Sequence, residues 1–380
     1  MIRIRQGRVT GISGTESSVS EVVVDLDEDT EKDTEKEIEK DTKKNLIKAL
    51  VKAINYDFLT GPVQPGDKVI LNTTAQSLGL GTGGVHFVLA NITNKAWDPP
   101  PEGHIMKLRY TPLQVKVLAV EEEHSPYRTA IEKFTSLKKT PVVVGSLHSQ
   151  LPGAAVGIKK TSGGQLRVGF VMTDGAALPL PYSHLVRELK QKGLIDVTVT
   201  AGHAFGGDLE AVNVYTGIIA AKEVGRADVI IVAMGPGIVG TGTEFGFSGV
   251  EQGEILNAVN VLGGKAICLP RISFADPRER HTGVSHHTLT VLEKIAVTPC
   301  TVALPVLENM KANFIRQQLS RRGITTRHQV EELDAQDVLK AMVQQHNLKV
   351  TTMGRSVEED IEFFLASCAA GKLAAGLVVY

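Results

Sequence analysis

The stretch ADVIIVAMGPGIVGTGTEFGFSGVEQGEILNAVNVLGGKAICLP, residues 227–270, holds an apolar run, a glycine-rich loop, a helical pattern and a second apolar run. Both apolar runs are short and rich in branched residues, which is typical of buried strands. Between them, Ser248 followed by Glu251 predicts a capping box, and Gly263 predicts the end of that helix. A strand, a helix and another strand indicate a βαβ unit, in which the two strands are parallel.

The same alternation extends along the chain from about Thr111. Three further helices are predicted: one capped by Ser183 and ending at Gly193, one capped by Asp208 and ending at Gly225, and one capped by Ser285 and beginning at His286. We therefore expect residues 111–380 to form an α/β ligand-binding domain around a mostly parallel, doubly wound, Rossmann-like sheet. An eight-stranded α/β barrel is the alternative, because the number of apolar runs does not exclude it.

Residues 1–110 follow a different pattern, in which MIRIRQGRVTGI and SVSEVVVDL alternate with period two and are separated by Gly/Pro turns. This pattern predicts a smaller β-rich domain, a barrel or a sandwich. The motif GLGTGG, Gly79 to Gly84, matches a dinucleotide fingerprint, but a strand pattern follows it where a helix is required. We interpret it as a turn.

Charge is distributed unevenly along the 380 residues, whose net charge is −1. Residues 25–44 hold ten acids and five lysines, so the remainder carries about +4. We expect this acidic run to be a disordered insertion. The remainder is too weakly basic to indicate a nucleic-acid partner.

The cellular location and the state of the cysteines are predicted from features that the sequence lacks. No apolar run approaches 18 residues and the N-terminus lacks a signal core, so we expect no membrane partner and a cytoplasmic location. Cys268, Cys300 and Cys368 form no CxxC pair, which favours buried thiols.

Polar residues follow several of the predicted strands. Parallel strands bring these following loops to one edge of the sheet, so we expect a single cavity there. The candidate catalytic residues are histidines that can act as acid or base and carboxylates that can orient them: His203, His281, His286, Asp174 and Asp208.

Anion binding is predicted from two stretches near this edge. RISFADPRERHTGVSHHT, residues 271–288, supplies Arg271, Arg278 and Arg280, whose guanidiniums suit carboxylate or phosphate. The alternative is that Arg278 and Arg280 pair with Asp276 and Glu279 on the surface and bind no ligand. The loop 235–249 lacks a Gly-Lys-Ser/Thr ending, so P-loop NTP hydrolysis is not expected. Its candidate ligand-binding residues are Gly235, Gly237, Gly240, Thr241, Gly242, Thr243 and Ser248.

The cofactor is unknown, and a divalent metal remains an alternative. The acceptable ligands are His203, Asp208, Asp174, His281 and His286. No HxxxH or HExxH spacing occurs, so these ligands would have to come together from separate loops. A serine hydrolase is weakly supported, because Ser146 and His148 follow a strand without a GxSxG turn.

The stretches GIVGTGTEFGFSG and RISFADPRERHTGVSHHT, together with MTDGAALPLPYSH and AGHAFGGDLEAVN, resemble a bacterial family held as domain of unknown function 3866. The resemblance implies a cytoplasmic bacterial protein and brings no established activity or catalytic residues. From the residues themselves we expect an enzyme, a hydrolase or transferase, that acts on a small anionic or phosphorylated metabolite with metal assistance as an option. The alternative is a non-catalytic sensor or binding module with a protein partner, and a homo-oligomer remains open.

Overall fold

The computed structural model describes residues 2–16, 18–27, 50–79, 84–98 and 100–378. Most of the predicted acidic insertion and the centre of the GLGTGG motif lie outside these described residues. The chain divides into two compact units, Met1–Pro101 and Glu102–Tyr380. Of the helices in the described part of the chain, none is long and apolar enough to cross a membrane.

The first unit contains a closed five-stranded barrel, as its β-rich pattern predicted. Its strands are β1 (Ile4–Glu16), β2 (Val19–Leu26), β3 (Leu50–Tyr56), β4 (Lys68–Asn72) and β5 (His86–Asn91), in the order β1-β2-β3-β5-β4. Two short helices, α1 (Asp57–Thr60) and α2 (Thr74–Ser77), connect them. β1 pairs antiparallel with both β2 and β4, which closes the barrel around Val9, Val24 and Leu71.

One predicted boundary in this unit is wrong. Asp25 and Leu26 belong to β2, where Asp25 pairs with Leu50 of β3, so residue 25 does not begin the insertion. The alternation that buries Val22 and Val24 carries the strand past the first acidic residue. A strand tolerates a charged residue on its outward face, so composition alone placed the boundary too early.

The second unit contains an open, all-parallel sheet of eight strands. It is preceded by the antiparallel pair β6 (Ile105–Lys107) and β7 (Val115–Val117). The eight strands are β8 (Pro141–Val144), β9 (Val168–Thr173), β10 (Val197–Thr200), β11 (Leu209–Glu210), β12 (Val229–Met234), β13 (Lys265–Cys268), β16 (Thr301–Pro305) and β17 (Gln329–Leu333). Between β13 and β16 lies a second antiparallel pair, β14 (Ile272–Ser273) and β15 (Gly283–Val284).

The strand order is β11-β10-β9-β12-β8-β13-β16-β17, with β11 and β17 at the two edges. Every neighbouring pair in this order is parallel. The mixed α/β class and the parallel sheet are therefore confirmed. The alternative of an eight-stranded α/β barrel is wrong, because the sheet does not close.

The helices of this unit are α3 (Arg128–Glu132), α4 (Leu151–Thr161), α5 (His184–Gln191), α6 (Val214–Glu223), α7 (Glu251–Val261), α8 (His286–Thr290), α9 (Asn309–Arg321), α10 (Ile324–Arg327), α11 (Gln336–Lys340) and α12 (Ile361–Gly376). A Cβ on Gly169 of β9 would lie 3.2 Å from Ala221 of α6. The next residue, Phe170, lies with its ring centroid 6.2 Å from that of His148, just before α4. Successive strand side chains point to opposite faces, so α6 and α4 cover opposite faces of the sheet.

Two of the predicted helix caps are confirmed and two are wrong. The Ser183 and Ser285 side chains accept hydrogen bonds from the first turns of α5 and α8. Asn213, rather than Asp208, caps α6, because the short edge strand β11 intervenes after Asp208. Ser248 begins a separate 3-10 turn, so Glu251 becomes the first residue of α7 instead of the third residue of a capping box.

Lys107 is buried to 1% exposure in the second unit, where all three of its ammonium protons have acceptors. The Nζ atom donates to Thr200 O at 3.1 Å, Ala204 O at 2.5 Å and Glu210 Oε2 at 2.6 Å. This lysine attaches the β6–β7 pair to the edge of the sheet.

The cysteines behave as predicted, since all three are buried free thiols.

The expected division at residues 1–110 and 111–380 stays a prediction, and the position of Lys107 gives a way to test it. A fragment of residues 102–380 is expected to fold, whereas residues 111–380 should be less stable by about 3–5 kcal/mol, because removing Lys107 leaves Glu210 buried and unpaired. Urea unfolding of the two fragments measures the difference. Equal stability would show that residue 110 is an adequate boundary.

Close packing of α4 on α12 gives a second prediction. A Cβ on Gly157 would lie 2.7 Å from Cys368 O and 2.9 Å from Lys372 N, so Gly157→Ala should destabilise the protein by about 1–3 kcal/mol. Gly376 at the end of α12 faces open space, and Gly376→Ala is the matched control, expected to change stability by less than about 1 kcal/mol. Similar urea midpoints for the two variants would contradict this packing.

Candidate functional site

Residues 271–288 follow the carboxyl end of β13 and form a loop whose two ends are hydrogen-bonded to each other. Arg271 N donates to Thr288 Oγ1 at 3.1 Å, and Ser285 N donates to Arg271 O at 2.9 Å. The β14–β15 pair lies between these anchors. The loop therefore holds its polar side chains at fixed positions beside the sheet.

Asp276 is the centre of an arginine cluster. Its carboxylate accepts from Arg271 Nη2 at 2.8 Å and from Arg278 through both Nε at 2.9 Å and Nη2 at 2.8 Å. Arg355 Nη2 adds a longer contact at 3.4 Å. Hydrogen bonds from Arg278 hold the pKa of Asp276 well below its usual range. Burial lowers the pKa of Arg271 to about 10, so its guanidinium remains charged at neutral pH.

The cluster carries more positive than negative charge. Besides Asp276, its carboxylates include Asp360, which accepts from Arg355 Nε at 2.9 Å and from Ser273 Oγ at 3.0 Å. Three guanidiniums therefore share two carboxylates. Arg280 adds a further positive charge, and within the described residues its side chain has no hydrogen-bond or ion-pair partner.

Three histidines lie beside this cluster. The ring centroids of His281 and His286 are 5.0 Å apart, those of His281 and His287 are 5.2 Å apart, and those of His286 and His287 are 4.2 Å apart. Burial and the charge of Arg271 lower the pKa of His281 to about 3. Burial lowers the pKa of His287 to about 3 as well, with the His286 ring as the next cause. Both imidazoles are therefore neutral at physiological pH.

The loop 235–249 packs onto the histidines through Phe247. The Phe247 ring stacks on the His287 ring, with centroids 4.0 Å apart and planes 8° apart. The loop is a small hairpin closed on itself, since Thr241 N donates to Gly246 O at 2.8 Å and Val239 N donates to Ser248 Oγ at 3.2 Å. Gly237 and Gly242 have positive φ angles of 104° and 81°, which glycine adopts without strain.

A cavity of about 50 Å³ lies where the loop, the arginines and the histidines meet. Its lining includes three arginines and two histidines, and Val239 and Met353 contribute apolar side chains. Those lining residues are Ile238, Val239, Gly240, Gly242, Arg271, Arg278, Arg280, His281, His287 and Met353. His286 joins them through its contacts with the other two rings.

Several expected ligand-binding residues of the loop serve the loop itself. The hydroxyls of Thr241 and Thr243 lie 2.9 Å apart and bond the backbone of Gly246. The Ser248 hydroxyl accepts from Val239 N. Gly235 lies against the carbonyl of Ala177, where a Cβ would clash. Gly240 and Gly242 are the members of this set that line the cavity.

His203, which follows β10, and Asp174, which follows β9, form a separate hydrogen-bonded pair outside the lining of this cavity. Asp174 Oδ2 accepts from His203 N at 2.8 Å, and the Gly202 Cα lies close against that carboxylate. The His203 Nδ1 atom accepts from Leu108 N at 3.0 Å, so this histidine holds the chain after β6. Neither residue lines the cavity described above.

Asp208 belongs to another part of the sheet edge. Its carboxylate accepts from Thr198 N at 2.9 Å, Thr198 Oγ1 at 2.8 Å and Lys190 Nζ at 2.5 Å. Burial by itself would raise the pKa of the Asp208 carboxyl. The hydrogen bonds from Thr198 and Lys190 together have the larger effect, so the pKa of Asp208 lies below its usual value. Asp208 lines a second, mostly apolar cavity of about 340 Å³ with Leu118 and Tyr127. The expected convergence of all candidates on one cavity therefore does not extend to His203, Asp174 or Asp208.

Three site residues were missed at the sequence level. The sequence indicates Asp276 only as a surface partner of arginine, yet its side chain is fully buried. His287 adjoins His286 in the motif SHHT, and that adjacency is the one sequence signal for it. Arg355 lies 79 residues from Asp276 along the chain, and no local signal connects the two.

Comparison with known proteins gives one match. A family model described as "Protein of unknown function (DUF3866)" matches residues 52–371, which is most of the chain. Neither the curated proteins nor the solved structures compared with the chain include a match.

Glu251 supports a prediction about pH. It accepts from Thr173 Oγ1 at 2.5 Å, and burial raises its pKa to about 7. A raised carboxyl pKa contributes stability that is fully present below the unfolded value of about 4.3 and is lost as pH rises through about 7. Glu251→Gln, which stays neutral, should therefore be more stable than wild type at pH 8 and should gain much less at pH 5.

Urea unfolding at the two pH values measures this difference. The exposed Glu223, at the end of α6, provides the control substitution Glu223→Gln. An equal effect of Glu251→Gln at both pH values would show that the carboxyl is already ionised at pH 5.

Proposed function

The chain belongs to the family of proteins of unknown function DUF3866, and from its site geometry we propose that it is an enzyme acting on a small anionic or phosphorylated metabolite. A hydrolase or a transferase fits best. The observation that carries the proposal is the cavity lined by Arg271, Arg278 and Arg280 together with His281 and His287. The cytoplasmic location, the bacterial source and a homo-oligomeric state stay predictions.

The position of the cavity in the sheet supports a ligand site. It is lined by the loops after β12 and β13, and these strands flank β8 in the strand order. From β8 the chain first winds toward β11 and later crosses to β13, so its winding direction reverses beside β8. In doubly wound sheets, ligands bind outside the carboxyl ends of the strands at such a reversal. We include the doubly wound, Rossmann-like arrangement in the proposal on this basis.

The arginines would bind the charged group of the substrate. Arg271 and Arg278 are held by Asp276, so their unused N–H groups are already oriented. Arg280 is exposed and close to Gly242, and it would contact the anion directly. A guanidinium donates two parallel hydrogen bonds to a carboxylate or phosphate, and these bonds are strong because both partners are charged.

The size of the cavity limits what enters it. About 50 Å³ accommodates a compact group such as a phosphate rather than a whole metabolite. The remainder of the substrate would lie at the mouth, where Val239 is 64% exposed and Met353 is 53% exposed. We assign acid–base or ligand roles to His281 and His286, with His287 beside them. His203, Asp174 and Asp208 receive no role in this cavity.

One observation favours the alternative function, a non-catalytic sensor or binding module. Asp276 already occupies part of the donor capacity of Arg271 and Arg278, and a mutually paired rim is typical of a site that binds without turnover. Product formation distinguishes the two functions. Release or transfer of phosphate from phosphate monoesters supports the enzyme, whereas phosphate binding without turnover supports the sensor.

Arg280→Ala tests the anion site. Because Arg280 lines the cavity and has no partner among the described residues, its loss should weaken binding of inorganic phosphate by about tenfold or more and leave the free energy of unfolding unchanged. Calorimetric titration at low ionic strength measures the affinity. Arg321→Ala, at an exposed arginine of α9, is the matched control. Equal affinities in the two variants would contradict the proposed site.

A further inference from the structure

We propose that His281, His286 and His287 form a binding site for one divalent transition-metal ion of the zinc class. Each histidine offers one ring nitrogen, and these three nitrogens all lie within 4.8 Å of one another. The site adjoins the anion cavity, which His281 and His287 also line. Metal binding itself is independent of the proposed function, and only its coupling to an anion rests on that function.

Unsatisfied polar atoms point to a missing ligand at this cluster. His286 Nε2 and His287 Nδ1 are buried and have no hydrogen-bond partner in the described part of the chain. His287 is only 7% exposed and His281 only 1%. A buried polar atom without a partner costs about 1–3 kcal/mol, so two such atoms side by side need a common partner. A metal ion between the rings would satisfy both.

Two of the rings are already oriented. His281 Nδ1 and Ser285 Oγ share a hydrogen bond of 2.7 Å, which leaves His281 Nε2 available as a ligand. A hydrogen bond to the second ring nitrogen is the usual way in which proteins orient a metal-binding histidine. The stack on Phe247 sets the plane of His287. Little ordering would therefore be required when a metal binds.

The ligand set determines the class of metal. Zinc binds imidazole nitrogen at about 2.0–2.1 Å, which places tetrahedral ligand atoms about 3.4 Å apart, so small ring rotations would close the observed cluster. Three nitrogen ligands favour zinc, copper, nickel or iron over magnesium or calcium, which prefer oxygen. Three protein ligands also leave a fourth position for water or substrate, as in catalytic zinc sites.

The charge around the cluster predicts coupling between metal and anion. None of the three ligands is anionic, and the guanidiniums of Arg271, Arg278 and Arg280 are near enough to affect the rings. These charges oppose a lone cation. An anion in the cavity would offset this repulsion, so metal and anion should increase each other's affinity by the same factor.

Cobalt(II) titration of the full chain tests the site. Chelator-treated protein without a polyhistidine tag is titrated with Co²⁺, and visible absorption reports tetrahedral nitrogen ligation while elemental analysis gives stoichiometry. We expect one ion per chain in the wild type. His286→Ala and His287→Ala should each weaken binding by about 100-fold or more. His124→Ala, at an exposed histidine outside the cluster, is the control and should bind as the wild type does.

Unfolding experiments keep the test valid if a variant is less stable. Saturating Co²⁺ should raise the midpoint of thermal unfolding in the wild type and in His124→Ala, but not in the cluster variants that remain folded by circular dichroism. His286 is only partly buried, so His286→Ala is expected to fold. Absence of binding in the wild type, or equal binding in wild type and cluster variants, would overturn the proposal.

Sulfate separates the metal site from the proposed function. Sulfate should increase the affinity for Co²⁺ in the wild type, but not in Arg280→Ala. Histidine-dependent Co²⁺ binding that sulfate leaves unchanged would support the metal site and overturn a shared anion cavity. Sulfate binding by Arg280-dependent contacts, with no Co²⁺ binding, would support the anion site and overturn the metal site.

Discussion

The buried carboxylate of Asp276 accepts hydrogen bonds from Arg271 and Arg278 of its own loop and contacts Arg355, and it thereby connects the loop after β13 to the segment before α12. Without it, Arg271 would be a buried guanidinium with no close counter-charge, which costs about 3–5 kcal/mol. The loop after β13 and the segment before α12 would then lose their common anchor. The geometry of the cavity wall depends on this one acid.

The same acid explains the electrostatics of the site. Asp276 and Asp360 together compensate only part of the arginine charge, so the cavity remains positive. This positive potential, together with burial, keeps the histidine rings neutral. Neutral imidazoles next to fixed guanidiniums form an environment in which an anion gains charged donors and a metal gains nitrogen ligands. The protein alone balances neither the excess charge of the arginines nor the unpartnered ring nitrogens of the histidines. For this reason we infer that an anion and a metal ion bind there together.

The sequence correctly predicts that the loop 235–249 borders the cavity, but not which of its polar groups are available to a ligand. Its glycines lie beside the cavity, as expected for a loop after a parallel strand. Its hydroxyls, however, bond its own backbone, because short polar side chains readily satisfy nearby backbone groups in tight turns. The contact that positions the loop is the stack of Phe247 on His287, which connects residues 40 positions apart in the sequence.

The sequence by itself determined the parallel sheet, the β-rich first unit, the Ser183 and Ser285 caps, and the grouping of Arg271, Arg278 and His281 in one loop. These features depend on periodicity and on signals a few residues long, so they are legible locally. Only the tertiary structure decided that Asp208 lies away from the cavity, that Arg355 joins Asp276, and that His287 faces the other two histidines. Those outcomes depend on which loops the fold brings together and on which buried charges pair with each other. Such contacts join residues that are far apart in the sequence, so no local or periodic pattern predicts them.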